Sequence, residues 1–185
     1  MRRIITSNLI SLDGYLAGPG GDLSWHIMND EFHRYAKDML NSAGMLLFGR
    51  ITYDLMASYW PIEMNIKNDP EVAGKMNGLP KVVCSKTLKK AEWENTTLFN
   101  SDVEKNITQL KEQPGKDIVI LGSGTIVSAL TQADLIDEHR IFICPVLLGS
   151  GTYQFSGHLD RKNLLLTDLK KLSSGLVMLC YQPIK

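Results

Sequence analysis

The stretch DIVILGSGTIVSAL, residues 117–130, decides the fold class. Asp117–Leu121 is a short, nearly unbroken apolar run, as expected of a strand buried on both faces. Ile126, Val127 and Leu130 then recur at helical spacing, so a helix follows within a few residues. A buried strand that turns through glycine straight into a helix is the unit from which open α/β sheets are assembled. The same five letters, LGSGT, return at Leu148–Thr152. There they follow CPVLL and precede Tyr153-Gln154-Phe155, and no amphipathic helix begins.

Working outward, strand and helix signals alternate. Arg3–Leu9 reads as a first strand and leads into the glycine-rich loop SLDGYLAGPGGDLSWH, residues 11–26. Phe32, Tyr35, Ala36, Met39, Leu40 and Ala43 fall at i, i+3, i+4, i+7, i+8 and i+11, which predicts a helix over residues 30–43 with Gly44 ending it. Met45–Phe48 reads as a buried strand and Thr52–Ser58 as a short helix. Residues 61–80, rich in Pro, Asn and Gly, read as loop with at most one helical turn. Lys81–Ser85 is a further strand. Ser101 and Glu104 fit a capping box before a helix whose stripe is Val103, Ile107 and Leu110, stopped by Pro114-Gly115. Glu138–Val146 is again strand. NLLLTDLKKL and GLVMLCY, around Ser173-Ser174-Gly175, form an antiparallel hairpin. Together these predict one α/β domain over residues 1–185, with a mixed central sheet flanked by helices and a C-terminal hairpin.

Composition narrows the function classes. Lys plus Arg and Asp plus Glu both number 20, so no net field favours nucleic acid or an anionic membrane. No apolar run approaches the roughly 20 residues of a membrane span. The N-terminus lacks the long apolar segment of a signal peptide, and three widely spaced cysteines give no disulfide framework, so a reducing cytoplasm is expected. His26, His33, His139 and His158 lack metal-ligand spacing, and neither GxSxG, HExxH nor GxxxxGK[ST] occurs. Trp25, Trp60 and Trp93 are not interleaved with basic residues as in a nucleic-acid platform.

For the first LGSGT two readings stand on local pattern. Backbone N–H groups at a helix start, beside the positive end of its dipole, can cradle a phosphate, with Ser123 and Thr125 adding hydroxyls. A strand-to-helix turn that needs only positive φ fits equally. For the second copy, with no helix behind it, a turn is the expected use.

Six ordered motifs, SLDGYLAG, Trp25 with Asp30 five residues on, LLFGRITY, LPKVVCSKTL, IVILGSGTIVSAL and LIDEHRIFICPVLLGSGTYQF, resemble the dihydrofolate reductase-like superfamily. Within it the chain is similar to stand-alone proteins that look like the C-terminal reductase domain of the bifunctional riboflavin biosynthesis deaminase-reductase. The resemblance implies a three-layer dihydrofolate reductase-like fold and an NADPH site. Gly49, Arg50 and Thr52 match the family's Gly-Arg-x-Thr at the cofactor phosphates, and Ser85 and Lys86 the pair facing the adenosine 2′-phosphate. Gly122, Ser123, Gly124, Thr125 and Ile126 match the pyrophosphate loop. Leu12–Trp25 resembles the flap over the nicotinamide, with Leu16 and Ala17 nearest the ring, and the second LGSGT packs against that flap.

By the same resemblance Asp30 is the candidate catalytic acid, although an aspartate at a helix start also serves as a cap or dipole partner. Asp13 is read as an Asp-Gly turn. The implied activity is hydride transfer from NADPH to a small heterocyclic or ribosylamine-type substrate, in a homodimer. One departure matters. Deaminase-linked reductases carry Glu-Gly-Gly where this chain has Leu121-Gly122-Ser123, and no H-x-E or P-C-x-x-C deaminase signature is present. A non-catalytic nucleotide-binding or oligomeric scaffold is the competing expectation.

Overall fold

The computed structural model describes residues 1–157 and 159–184. In chain order the elements are β1 (Ile4–Ser11), β2 (Tyr15–Ala17), α1 (Asp30–Ser42), β3 (Ala43–Gly49), α2 (Arg50–Tyr59), α3 (Glu63–Asn68), α4 (Pro70–Gly78), β4 (Lys81–Cys84), β5 (Thr96–Phe99), α5 (Val103–Glu112), β6 (Asp117–Ile120), α6 (Gly124–Gln132), β7 (Glu138–Cys144), β8 (Thr152–Tyr153), β9 (Leu164–Lys171) and β10 (Val177–Pro183). Eight strands form one sheet in the order β5-β4-β3-β6-β1-β7-β10-β9. The first six run parallel, whereas β10 is antiparallel to both β7 and β9, so the expected C-terminal hairpin closes one edge. β2 and β8 make a separate two-stranded ribbon.

Alternation along each central strand distributes its side chains to two helical layers. Leu46 and Phe48 of β3 pack with Met39 and Leu40 of α1, Tyr53 of α2 and Val72 and Met76 of α4. Leu47 points the other way, into a cluster with Ile107 of α5 and Ile126, Val127 and Leu130 of α6. Helices thus cover both faces of the parallel part, giving three layers.

Besides the β2–β8 ribbon, formed where loop and turn were expected, the structure departs from the expected elements in four places. Residues 61–80 hold two helices, α3 and α4, rather than loop. Pro70 stands in the first turn of α4, where its missing N–H costs nothing, and the Asp69 side chain accepts from Val72 N at 3.2 Å. Burial of Val72, Ala73 and Met76 then outweighs the poor propensity of Gly74 and Gly78. β5 was not anticipated, because none of its four residues is fully buried and no apolar alternation marks it. α5 has no capping box: Asp102, in the left-handed region at φ 47°, is its N-cap with no side-chain cap bond, and the Ser101 carbonyl accepts from Asn106 Nδ2. Gly44 lies inside β3 at a register shift instead of ending α1, which closes at Ser42.

Of the charged and basic side chains buried within this frame, Lys81 and His139 are the most fully enclosed. Lys81, 1% exposed, donates from Nζ to the carbonyls of Met76 (3.0 Å), Asn77 (2.8 Å) and Leu79 (2.8 Å) at the end of α4, and lies 4.6 Å above the Trp93 ring. Burial pulls its pKa down to about 8 against the pull of Glu94.

His139 on β7 is fully buried, with Nδ1 3.4 Å from Thr6 Oγ1 and Nε2 without a partner. Desolvation lowers its pKa from 6.5 to about 4, so the folded protein keeps it neutral while the unfolded chain takes up a proton. Its contribution is therefore complete above about pH 6.5 and is lost as the pH falls toward 4. Urea unfolding should show about 3 kcal/mol less contribution from this residue at pH 4 than at pH 7. His139→Gln should reduce the pH dependence of stability by that amount; parallel curves for the two proteins would refute the assignment.

Among the described residues, no helix is long and apolar enough to cross a membrane.

Candidate functional site

β1, β3, β4 and β6 end along one edge of the sheet, and the loops that leave them converge there. β3 and β6 are hydrogen-bonded neighbours, with Leu46 opposite Val119 and Leu47 opposite Ile120, so α2 and α6 begin side by side. The two starts interlock. A Cβ on Gly49 would overlap the Ser123 side chain, and one on Gly122 would come within 2.6 Å of Thr52 Oγ1. Gly122 also has φ +67°, a conformation that glycine adopts freely and other residues do not. Ser123 follows with φ 58°, which for a side-chain-bearing residue costs on the order of 1 kcal/mol.

Neither start carries a side-chain cap: Gly49 and Ser123 are the N-caps and make no such bond. By contrast, Asn29 and Asp69 cap α1 and α4 through their side chains. The first N–H groups of α2 and α6 thus have no intrahelical partner, and both dipoles present their positive ends at one place. That arrangement suits two linked phosphates.

Cations stand beside it. Arg50 opens α2, half exposed, donating from Nη1 to Thr87 Oγ1 at 2.6 Å and from Nε to Asp54 at 3.3 Å. Its remaining guanidinium donors leave room for an anion. Lys86 is exposed at the end of β4. Ser85 beside it is buried, and its Oγ accepts from the backbone of Thr87 (3.2 Å) and Leu88 (3.0 Å), shaping the turn that carries Lys86.

The second LGSGT is tied to the loop after β1. Asp13 accepts from Ser11 Oγ at 2.6 Å and from Gly149 N at 2.8 Å, and these bonds hold its carboxyl below the usual carboxylate range. Gly14 N donates to Ser11 O, closing the expected Asp-Gly turn. Tyr15 stacks on Tyr153 at 4.2 Å, and the strand carrying Leu16 and Ala17 pairs with β8. The copy is a connection packed on the Leu16–Ala17 segment, as expected, with no helix start behind it.

Two residues that sequence reasoning missed join these loops. Asn8 on β1, 3% exposed, accepts from Gly122 N at 2.7 Å through Oδ1 and donates from Nδ2 to Gln154 Oε1 at 3.0 Å. Gln154, 1% exposed, donates its own backbone N–H to Gly14 O at 3.0 Å. Thr6, Ser7 and Ser11 make β1 polar at other positions too, so the strand's own sequence did not single out Asn8. Nothing local marks Gln154.

Asp30 stands apart. It is exposed at the first position of α1, and the cap is its neighbour Asn29, whose Oδ1 accepts from Phe32 N at 3.0 Å. Among the described residues no hydrogen bond ties Asp30 to the loop cluster, whereas Gly49, Arg50, Thr52, Ser85, Lys86 and Gly122–Ile126 line one stretch of the sheet edge. No group of three or more His, Cys, Asp or Glu side chains is placed to hold a metal ion among the described residues. His158, considered above with the other histidines, lies outside them.

Residues 2–178 match the family described as the RibD C-terminal domain. The chain belongs to this family. The chain is 32% identical over 181 residues to the uncharacterized protein YyaP of Bacillus subtilis (strain 168), covering 97% of this chain and 94% of that one. Solved structures share its fold. A putative riboflavin biosynthesis protein from Shewanella sp. PV-4 superposes with a TM-score of 0.76 at 23% identity, covering 100% of both chains. The Thermotoga maritima diaminohydroxyphosphoribosylaminopyrimidine deaminase/5-amino-6-(5-phosphoribosylamino)uracil reductase does so with 0.72 at 15%, over 99% of this chain and 57% of that one. Dihydrofolate reductase from Enterococcus faecalis, complexed with NADP(H) and RAB-propyl, gives 0.66 at 14%, over 99% and 97%. The three-layer, dihydrofolate reductase-like architecture is thus shared across the RibD C-terminal domain and dihydrofolate reductase.

Proposed function

We propose that this protein is an NADPH-dependent reductase that transfers hydride to a small heterocyclic or ribosylamine-type substrate. The observation that carries the reading is the pair of interlocked, side-chain-uncapped helix starts at Gly49–Thr52 and Gly122–Ile126, flanked by Arg50 and Lys86. A diphosphate fits this cradle: backbone N–H groups meet its oxygens, and the Arg50 fork reaches a further oxygen. Lys86, on the turn shaped by Ser85, supplies positive charge for an additional phosphate and so favours NADPH over NADH. Family membership and the reductases that share the fold support the same reaction class.

When bound, the cofactor supplies the hydride. The protein's part is orientation and exclusion of water. Leu16 and Ala17, fastened through β8 and the Tyr15–Tyr153 stack, cover the position expected for the nicotinamide. Asp30, at the exposed start of α1, is the proposed proton carrier at its carboxyl.

Titration of the purified protein with NADPH tests the reading directly. Binding in the micromolar range is expected, and Arg50→Gln should weaken it about 20-fold while leaving the unfolding midpoint unchanged. An absence of binding at millimolar cofactor would sink the proposal.

A second reading, a nucleotide-binding protein without turnover, draws on Leu121 standing where deaminase-linked reductases carry glutamate. NADPH oxidation with pterin, pyrimidine and ribosylamine substrates separates the two: binding with no oxidation on any substrate favours the second.

A further inference from the structure

Gly122 and Ser123 form two consecutive left-handed residues at the centre of the cradle, with φ +67° and 58°. Such a turn persists only where its surroundings over-determine it. The side chain holding it is Asn8, whose Oδ1 accepts from Gly122 N at 2.7 Å. That bond engages the Gly122 N–H with buried Asn8, so this amide is not free to meet a ligand. It also sets the polarity of the next contact, since Asn8 must then present Nδ2 to Gln154 Oε1, at 3.0 Å.

The consequence is costly for Gln154. Its Nε2 is buried without a partner. An apolar pair of this size would avoid that orphaned donor but would leave the Gly122 N–H without its acceptor, so the two amides secure the Gly122 turn at the expense of Gln154 Nε2. Their placement does suggest a role. Gln154 is anchored by its backbone to Gly14 in the loop after β1, and its carbonyl lies against Gly124 at the start of α6. Through Asn8 and Gln154 the loops that carry Leu16–Ala17, Gly122–Thr125 and the second LGSGT are joined in one hydrogen-bonded unit.

We infer that Asn8, oriented by Gln154, is a positioning residue that presets the strained Gly122–Ser123 turn for the cofactor's diphosphate, without touching the cofactor itself. This inference rests on the NADPH reading, and its test separates the two. The backbone amide of Gly122 is followed by hydrogen exchange in the protein without cofactor, and NADPH affinity is measured on the same samples.

Asn8→Leu removes both bonds. The Gly122 amide should exchange at least about 10-fold faster, and NADPH should bind about 30-fold more weakly, with far-ultraviolet circular dichroism unchanged. Asn8→Asp keeps an oxygen for Gly122 and should restore the protection of its amide. If Asn8→Leu does not fold, Gln154→Met removes only the acceptor that orients Asn8, and should raise Gly122 exchange and weaken NADPH about 5-fold. Unchanged Gly122 exchange in the folded variants overturns the inference, as does faster exchange with NADPH affinity within twofold of the parent. A parent protein that binds no NADPH overturns the cofactor reading instead, and the exchange rates then still decide whether Asn8 holds the turn.

Discussion

Gly122→Ala should weaken NADPH binding by about 100-fold, the largest single loss expected at the site. Two independent costs meet at this position. An L-residue at φ +67° is strained by roughly 1–2 kcal/mol. The new Cβ would also stand 2.6 Å from Thr52 Oγ1 and 2.9 Å from its Cγ2, so the starts of α2 and α6 must move apart. Either relaxation pulls Gly122 N from Asn8 and spoils the alignment of the two sets of helix-start amides. Together these amount to about 3 kcal/mol, or two decades in affinity. Thr52→Ala removes the crowding atoms but not the φ strain. The double variant should therefore recover part of the affinity, and calorimetric titration of the three proteins apportions the two costs. Affinity of Gly122→Ala within twofold of the parent would show that the interlocked helix starts do not hold the diphosphate.

The largest loss of stability should come far from that site, on replacing Lys81. Its ammonium closes the last turn of α4 by donating to three carbonyls and lies over the Trp93 ring, and its whole side chain is buried. Lys81→Ala leaves three carbonyl oxygens without this donor at the negative end of the helix, removes the cation from the indole face and opens a cavity. About 4 kcal/mol of unfolding free energy should be lost. Lys81→Met restores most of the volume but none of the donors, and about 3 kcal/mol should still be lost. Chemical denaturation of both variants measures this. A loss below about 1 kcal/mol in both would mean that water or repacked neighbours satisfy the carbonyls. NADPH affinity of the folded fraction should stay unchanged, because Lys81 opens β4 at the end of the strand opposite the cofactor edge.

How legible each element was follows from where its physical signal lies. α1 was readable because its buried residues recur at the helical period, and the sheet-forming runs around residues 45–48, 81–85 and 117–121 because strands covered on both faces must be apolar throughout. α3 and α4 were not, because the Pro and Gly that mark loops also occur at helix starts and in helices paid for by tertiary burial. β5 shows no pattern of its own, since it takes its backbone partners from β4 and buries no side chain completely. Lys81 reads as a surface residue from composition alone; only the end of α4 above it explains an ammonium in the core.

The site divides in the same way. Gly49, Arg50 and Gly122–Ile126 belong to contiguous motifs and could be named from them. Asn8 and Gln154 lie 146 positions apart, and no local rule pairs them. The two copies of LGSGT separate what each level decides. The sequence alone determined that both turn through glycine and that only the first has a strand behind it and a helix ahead. The tertiary structure decided what meets each backbone: Asn8 accepts from Gly122 N at the first copy, while Asp13 and Tyr15 bond the backbone of Gly149 at the second. A loop's own residues fix which φ and ψ it can reach, but its unpaired N–H groups are met by whatever polar atoms the rest of the fold brings within 3 Å.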